Sequence, residues 1–255
     1  MDEIRVVEEL LLNSIPALTT VLLDGWVIRL NQKYTYRSNC VCPLSGMRQN
    51  TAETVERCEK LFEHNRLPSV FKVTPVLQEG LPQLLRSMQY RNIKKVNVMR
   101  GVLKQETHRF PSEIQCSETP DPDWLDASAR LTGVSSPELV SIHCRGLAAL
   151  AVRSVFVKAV RDGKIVGCGY GTVERGYAGL YDLHVAPEYR RAGIGTSICN
   201  AVFEYGRKHG AEMAYLVVHS RNQNAIQLYS HLGFSPFYEY EFFQKENSKY
   251  RIVDA

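Results

Sequence analysis

The 255-residue sequence predicts an α/β chain, α+β in its detail, with a mixed, mostly antiparallel sheet flanked by helices and two such units in tandem. Three observations predict it. Apolar residues change along the chain between a strand period of two and a helical period near 3.6. The order of these segments in the first half recurs in the second at an offset of roughly 145 residues. Between the copies, Asp162-Gly163 joins two strand-like runs into a hairpin.

Composition bounds the class. An apolar share of 44% and a charged share of 23% describe a globular chain with enough apolar residues for proper cores. The net charge of +4 is spread along the sequence and gives no reason to expect nucleic acid. No apolar stretch approaches the ~20 residues that span a bilayer, so no membrane is expected. Met1-Asp2-Glu3-Ile4 is acidic where a signal peptide would be cationic. The seven cysteines include Cys40-Val41-Cys42 but no C-x-x-C pair, and the histidines are scattered. No metal site or disulfide framework is expected, and the thiols read as reduced, in a cytoplasmic protein.

In chain order, Ile4 to Leu12 forms an amphipathic helix and Asp24-Gly25 a turn. Trp26–Leu30 is a strand, and a second runs from Tyr34 through Tyr36 to Val41. After Pro43, Ser45 and Gly46, a helix from Thr51 to Glu63 carries Val55, Cys58, Leu61 and Phe62 on one stripe. Strand Ser69–Val73, helix Leu81–Met88 and strand Val96–Met99 complete the first copy. Gly101 to Asp121, with Pro111 and Pro120, reads as a linker. Pro122 to Thr132 is a helix stopped by Gly133, with Trp124 as a core anchor. Ser136-Pro137 opens another, serine as cap and proline first in the helix. The hairpin Arg153–Val160 and Ile165–Val173 follows, then the turn Glu174-Arg175-Gly176. The second copy reads strand Leu180–Val185, helix Thr196–His209, strand Ala214–His219, helix Gln223–Leu232 and strand Phe237–Phe243.

Chemistry concentrates where strand Leu180–Val185 stops at Pro187 and turns through Arg190-Arg191-Ala192-Gly193-Ile194-Gly195 into the helix near Thr196. Such a turn leaves unpaired N–H groups at the positive end of a helix dipole, a site for an anion. Gly193 and Gly195 carry no Cβ to hold a phosphate away, and Arg190 and Arg191 add positive charge. The spacing Arg190-x-x-Gly193-x-Gly195 resembles the pyrophosphate loop of the GCN5-related N-acetyltransferases, the GNAT superfamily. A second stretch resembles that family's N-x-x-A-x-x-L-Y-x-x-x-G-F signature at Asn222, Ala225, Leu228, Tyr229, Gly233 and Phe234. Seven residues make almost two helical turns, so Asn222 and Tyr229 project from nearly one face.

The resemblance implies a GNAT-type sheet in each unit and acetyl-coenzyme A as cosubstrate. It implies coenzyme contacts from Leu183, His184, Val185, residues Arg190 to Thr196, Asn222, Ala225 and Tyr229. Tyr229 would protonate the leaving thiolate, and a main-chain N–H of the central strand would stabilise the carbonyl oxygen. Asp182 and His184 share a face of an alternating strand and either could reach the substrate or a water chain as the base, Asp182 being the candidate carried forward. His219 and His231 read as structural or exposed. Residues 1–120 are expected to form a degenerate GNAT-like domain, since Pro43-Leu44-Ser45-Gly46-Met47-Arg48 stands where the phosphate loop would be. Residues 121–255 are the expected acetyltransferase domain, acting on a primary amine by direct transfer, with homodimerisation compatible with this reading. A non-catalytic acyl-coenzyme A sensor and a nucleotide- or phosphate-binding module are the alternatives.

Overall fold

The computed structural model describes residues 3–44, 51–77, 79–104 and 113–253. In the first half, α1 (Glu3–Ser14) precedes the hairpin β1 (Thr19–Leu23) and β2 (Trp26–Leu30), then β3 (Val41–Pro43), α2 (Thr51–His64), β4 (Val70–Val73), α3 (Leu81–Ser87) and β5 (Tyr90–Val102). The second half runs β6 (Ile114–Ser117), α4 (Pro122–Thr132), α5 (Pro137–Ala148), β7 (Arg153–Arg161), β8 (Lys164–Glu174), β9 (Tyr177–Val185), α6 (Ile194–Lys208), β10 (Met213–His219), α7 (Gln223–His231) and β11 (Ser235–Lys245).

The eleven strands among the described residues form one sheet, ordered β1-β2-β3-β4-β11-β5-β10-β9-β8-β7-β6. Two pairs are parallel, β3 with β4 and β9 with β10, and the other pairs are antiparallel. Between them β11 and β5 have changed places. β11 pairs with β4 of the first half, and β5 pairs with β10 of the second. The last strand of each half thus completes the other half's sheet, and the two cannot part without breaking hydrogen-bonded ladders.

Burial reinforces this weld. Glu8 on α1 and Lys72 on β4 form a buried ion pair at 2.5 Å, and the Tyr238 hydroxyl on β11 donates to the same carboxylate at 2.6 Å. One core cluster draws Val7 and Leu10 from α1, Trp124 from α4, Phe156 and Tyr170 from β7 and β8, and Phe242 from β11. Trp124 is buried as expected, edge-on to Phe156, and its indole N–H donates to the Val157 carbonyl at 2.9 Å. Trp124→Phe removes that donor and leaves the carbonyl short of a partner. A stability loss of about 1–2 kcal/mol in denaturant titration is expected, and no loss would show that the bond contributes nothing.

Several sequence expectations are corrected. No strand runs from Tyr34 to Val41; a single 3₁₀ turn, Tyr36–Ser38, stands in a loop with Gln32, Lys33 and Thr35 at positive φ. Side chains have taken the backbone's partners: the Asn39 amide donates to the Tyr34 and Thr35 carbonyls, and Asn31 N–H donates to Asn39 Oδ1. The expected linker contains β6, a four-residue edge strand paired with β7, too short for its period to register. Pro111 lies outside the described residues. Ser136 occupies the cap position of α5 without a side-chain bond, whereas Asp121 caps α4 by accepting from Trp124 N–H at 2.7 Å. The strand β1, unread in the sequence, is the first arm of a hairpin turned by Asp24 and Gly25, both at positive φ.

Candidate active site

Strand β9 carries one residue more than its partner β8 in mid-strand. Tyr181 faces Tyr170 and His184 faces Cys168, so Asp182 and Leu183 together oppose Gly169. Asp182 takes the strain of this bulge at φ 45°. Simple alternation therefore fails here, and the expectation that Asp182 and His184 share a face by period two does not describe the strand. Tyr181, Asp182, Leu183 and His184 all line one cavity instead.

The cavity opens where β9 and β10 part company. Their parallel pairing covers Tyr177–Leu180 and Met213–Leu216 and then ends. The space is about 350 Å³, a small-molecule volume. Asn222, Ala225 and Tyr229 of α7 line one side. Tyr34, Thr35 and Arg37 from the first half and Ile142 and His143 from α5 line another.

Tyr229 is 7% exposed, and burial pushes its phenol far above the usual range, so it stays protonated. Asn222 has a local duty: its Oδ1 accepts from Ala225 N–H at 3.2 Å and caps α7. Gly233 ends the turn after α7 at φ 86°. Burial lowers the His184 pKa, Asp182 opposing and Arg190 adding to the shift. His219 also lines the cavity, its Nδ1 accepting from Arg221 N–H, whereas His231 is exposed.

Sequence reasoning missed His143 and Tyr34. Tyr34 Oη lies 2.8 Å from His143 Nδ1, and Ser128 Oγ lies 2.9 Å from Nε2. Burial keeps this imidazole neutral, with Asp182 raising and His184 lowering its pKa. A neutral ring with Nε2–H donating to Ser128 accepts the Tyr34 hydroxyl at Nδ1. The only local signal was a polar residue beside Ile142 on the buried face of a helix.

Beyond β9 the chain makes a 3₁₀ turn at Pro187–Tyr189, and Arg190 Nε donates to the Val185 carbonyl at 3.0 Å. Arg191 at φ 61° and Gly193 at φ 78° then turn it into α6, which starts at Ile194, two residues before Thr196. Among the described residues no side chain caps α6, which leaves its first N–H groups open to an anion. A Cβ built on Gly193 meets nothing within 4 Å, and one on Gly195 comes 3.5 Å from Leu228 and 4.0 Å from Leu183. The start of α6 therefore lies against both β9 and α7.

The cavity unites Asp182, Leu183, His184, Asn222, Ala225 and Tyr229. Val185 and residues Arg190 to Thr196 lie outside its lining, on the turn leaving the same strand. An uncapped helix start beside a wedge that holds a protonated phenol fits a thioester carried on a diphosphate arm. Among the described residues no group of His, Cys, Asp and Glu could hold a metal ion, and no helix is long and apolar enough to cross a membrane.

Comparison with known proteins gives a consistent result. The family described as "Probable histone acetyltransferase Rv0428c C-terminal" matches residues 1–243. The chain is 26% identical over 246 residues to the "Uncharacterized N-acetyltransferase YobR" of Bacillus subtilis, covering 95% of this chain and 98% of that protein. It is 31% identical over 75 residues to the [ribosomal protein bS18]-alanine N-acetyltransferase of Escherichia coli, covering 29% of this chain and 51% of that protein. In fold it resembles a GCN5-related N-acetyltransferase from Kribbella flavida, with a TM-score of 0.70 at 14% identity over 96% of this chain and 95% of the other. It also resembles a tandem GNAT protein from the clavulanic acid biosynthesis pathway, with a TM-score of 0.62 at 19% identity over 77% and 70% of the two chains.

Proposed function

The chain belongs to the GNAT superfamily, within the family of the Rv0428c C-terminal acetyltransferase, and we propose that it moves an acetyl group directly from acetyl-coenzyme A to a small primary amine. Acetyl transfer to an amine is the activity this membership carries. The observation that supports the site most is the bulged strand β9, which brings Asp182 and Leu183 into one cavity with the buried phenol of Tyr229. Leu183 lies 4.0 Å from a Cβ built on Gly195, near the uncapped start of α6.

In this reading the main-chain N–H groups from Arg191 to Thr196 hold the diphosphate, with Arg190 and Arg191 adding charge. Leu183, His184, Val185, Asn222 and Ala225 flank the arm that leads inward. A main-chain N–H of the bulged segment of β9 stabilises charge on the carbonyl oxygen. Tyr229, protonated by its burial, supplies a proton to the departing sulfur. Asp182 draws the amine into the cavity and takes its proton, directly or through water. The thiols support direct transfer: no cysteine stands among the described residues lining the cavity, and burial pushes Cys168 up to about 12 and Cys199 higher.

The two halves, 1–120 and 121–255, are read as a degenerate and a working copy. Of the first copy's substitute for the phosphate loop, Ser45 to Arg48 lie outside the described residues. The first half's part in the site is to wall the cavity with Tyr34, Thr35 and Arg37. Its free thiols fit a reducing, cytoplasmic setting.

The test follows free thiol while the protein is mixed with acetyl-coenzyme A and a panel of amines. Amine-dependent thiol release is expected. Tight coenzyme binding without release for any amine would make the protein a sensor.

A further inference from the structure

We propose that the amine acceptor also carries a carboxylate, which the first half's loop Asn31–Asn39 anchors through the Thr35 hydroxyl and the Arg37 guanidinium. The inference rests on the acetyl-transfer reading above and names the substrate class of that site.

Thr35 is an unusual residue of the cavity. Its φ of 49° and ψ of 142° lie in a region that a β-branched residue rarely adopts. The surroundings enforce it: Thr35 N–H donates to the Val253 carbonyl at 2.9 Å, and the Asn39 amide donates to the Thr35 carbonyl at 3.1 Å. The residue is 8% exposed, yet its Oγ1 has no partner among the described residues. A buried hydroxyl left without a partner costs free energy, so a strained loop that holds one beside a cavity points to a ligand atom as the partner.

The charge pattern names that atom. Arg37 and Lys94 line the cavity, and Asp182 is the one acidic side chain among its described lining residues. Burial raises the phenols of Tyr34 and Tyr170, and for both Asp182 adds to the shift while Arg37 opposes it. The same two phenols thus feel opposite charges, an anion on β9 and a cation on the first half's loop. An acceptor with its amine toward Asp182 and its carboxylate toward Thr35 and Arg37 satisfies both ends. A guanidinium and a hydroxyl together offer the donors that a planar carboxylate takes. The volume of about 350 Å³ favours a small zwitterion over a folded protein surface.

The experiment compares matched compounds with acetyl-coenzyme A, following free thiol: amino acids against the same amines without the carboxylate, lysine against 1,5-diaminopentane among them, and against amino acid amides. The carboxylate member of a pair is expected to show a kcat/KM at least about tenfold higher. Thr35→Val, which keeps the side-chain shape, and Arg37→Gln are each expected to raise KM for the carboxylate member about tenfold, with kcat and coenzyme A affinity kept. Should Arg37→Gln fail to fold, Thr35→Val carries the test. Equal or faster acetylation of the decarboxylated amines would overturn the acceptor class and leave acetyl transfer standing. So would unchanged KM in the variants. No thiol release with any compound, coenzyme A still binding, would overturn the acetyl-transfer reading and this inference with it.

Discussion

Tyr229→Phe is expected to lower kcat by on the order of a hundredfold and leave coenzyme A affinity nearly unchanged. The side chain is 7% exposed and packs against Phe234, so phenylalanine fills the same space and the fold is retained. What disappears is one hydroxyl. In the reading above that hydroxyl acts on the sulfur as the carbon–sulfur bond breaks, after the coenzyme has bound. The loss should therefore fall on turnover, not on ground-state binding. Stopped reactions with a saturating amine and isothermal titration with coenzyme A separate the two. Equal turnover in the two proteins would remove Tyr229 from the proton transfer.

Gly193→Val is expected to weaken coenzyme A binding by a hundredfold or more, because a branched side chain would stand over the amides that hold the diphosphate. Crowding at the Cβ does not account for such a loss, since a Cβ at this position meets nothing within 4 Å among the described residues. Backbone strain is the competing cause: a left-handed residue with a Cβ costs on the order of 1–2 kcal/mol. Gly163 separates the two effects. It lies in the hairpin turn at φ 71°, also with nothing within 4 Å of its Cβ, and away from the cavity lining. Gly163→Val should therefore show similar strain in melting and full coenzyme affinity. If both variants bind alike, the loop is not the diphosphate site.

How much of this could be read from the sequence depends on how local each cause is. The turn from β9 into α6 was legible because glycine, arginine and helix-start signals lie within a few residues of Gly193. The helix holding Tyr229 was legible for the same reason. The bulge at Asp182 was not, because it exists only in the pairing of β9 with β8. Nor was the exchange of β5 and β11: each reads as a strand, but which neighbour it chooses is decided by the packing of two halves. The Tyr34–His143 contact joins residues 109 apart in the chain, and the loop that presents Tyr34 read as a strand. Its alternating tyrosines lost to two polar side chains, Ser38 and Asn39, that bind the loop backbone from within, while the Asn31 amide holds the Ser38 hydroxyl.

The central claim is that open main-chain amides at the start of α6 receive the diphosphate of a thioester carrier. A crystal structure grown with coenzyme A tests it most directly. The account predicts the diphosphate on the N–H groups between Arg191 and Thr196, and the arm running between β9 and α7 toward Tyr229. A diphosphate bound elsewhere, with those amides facing only solvent, would contradict it.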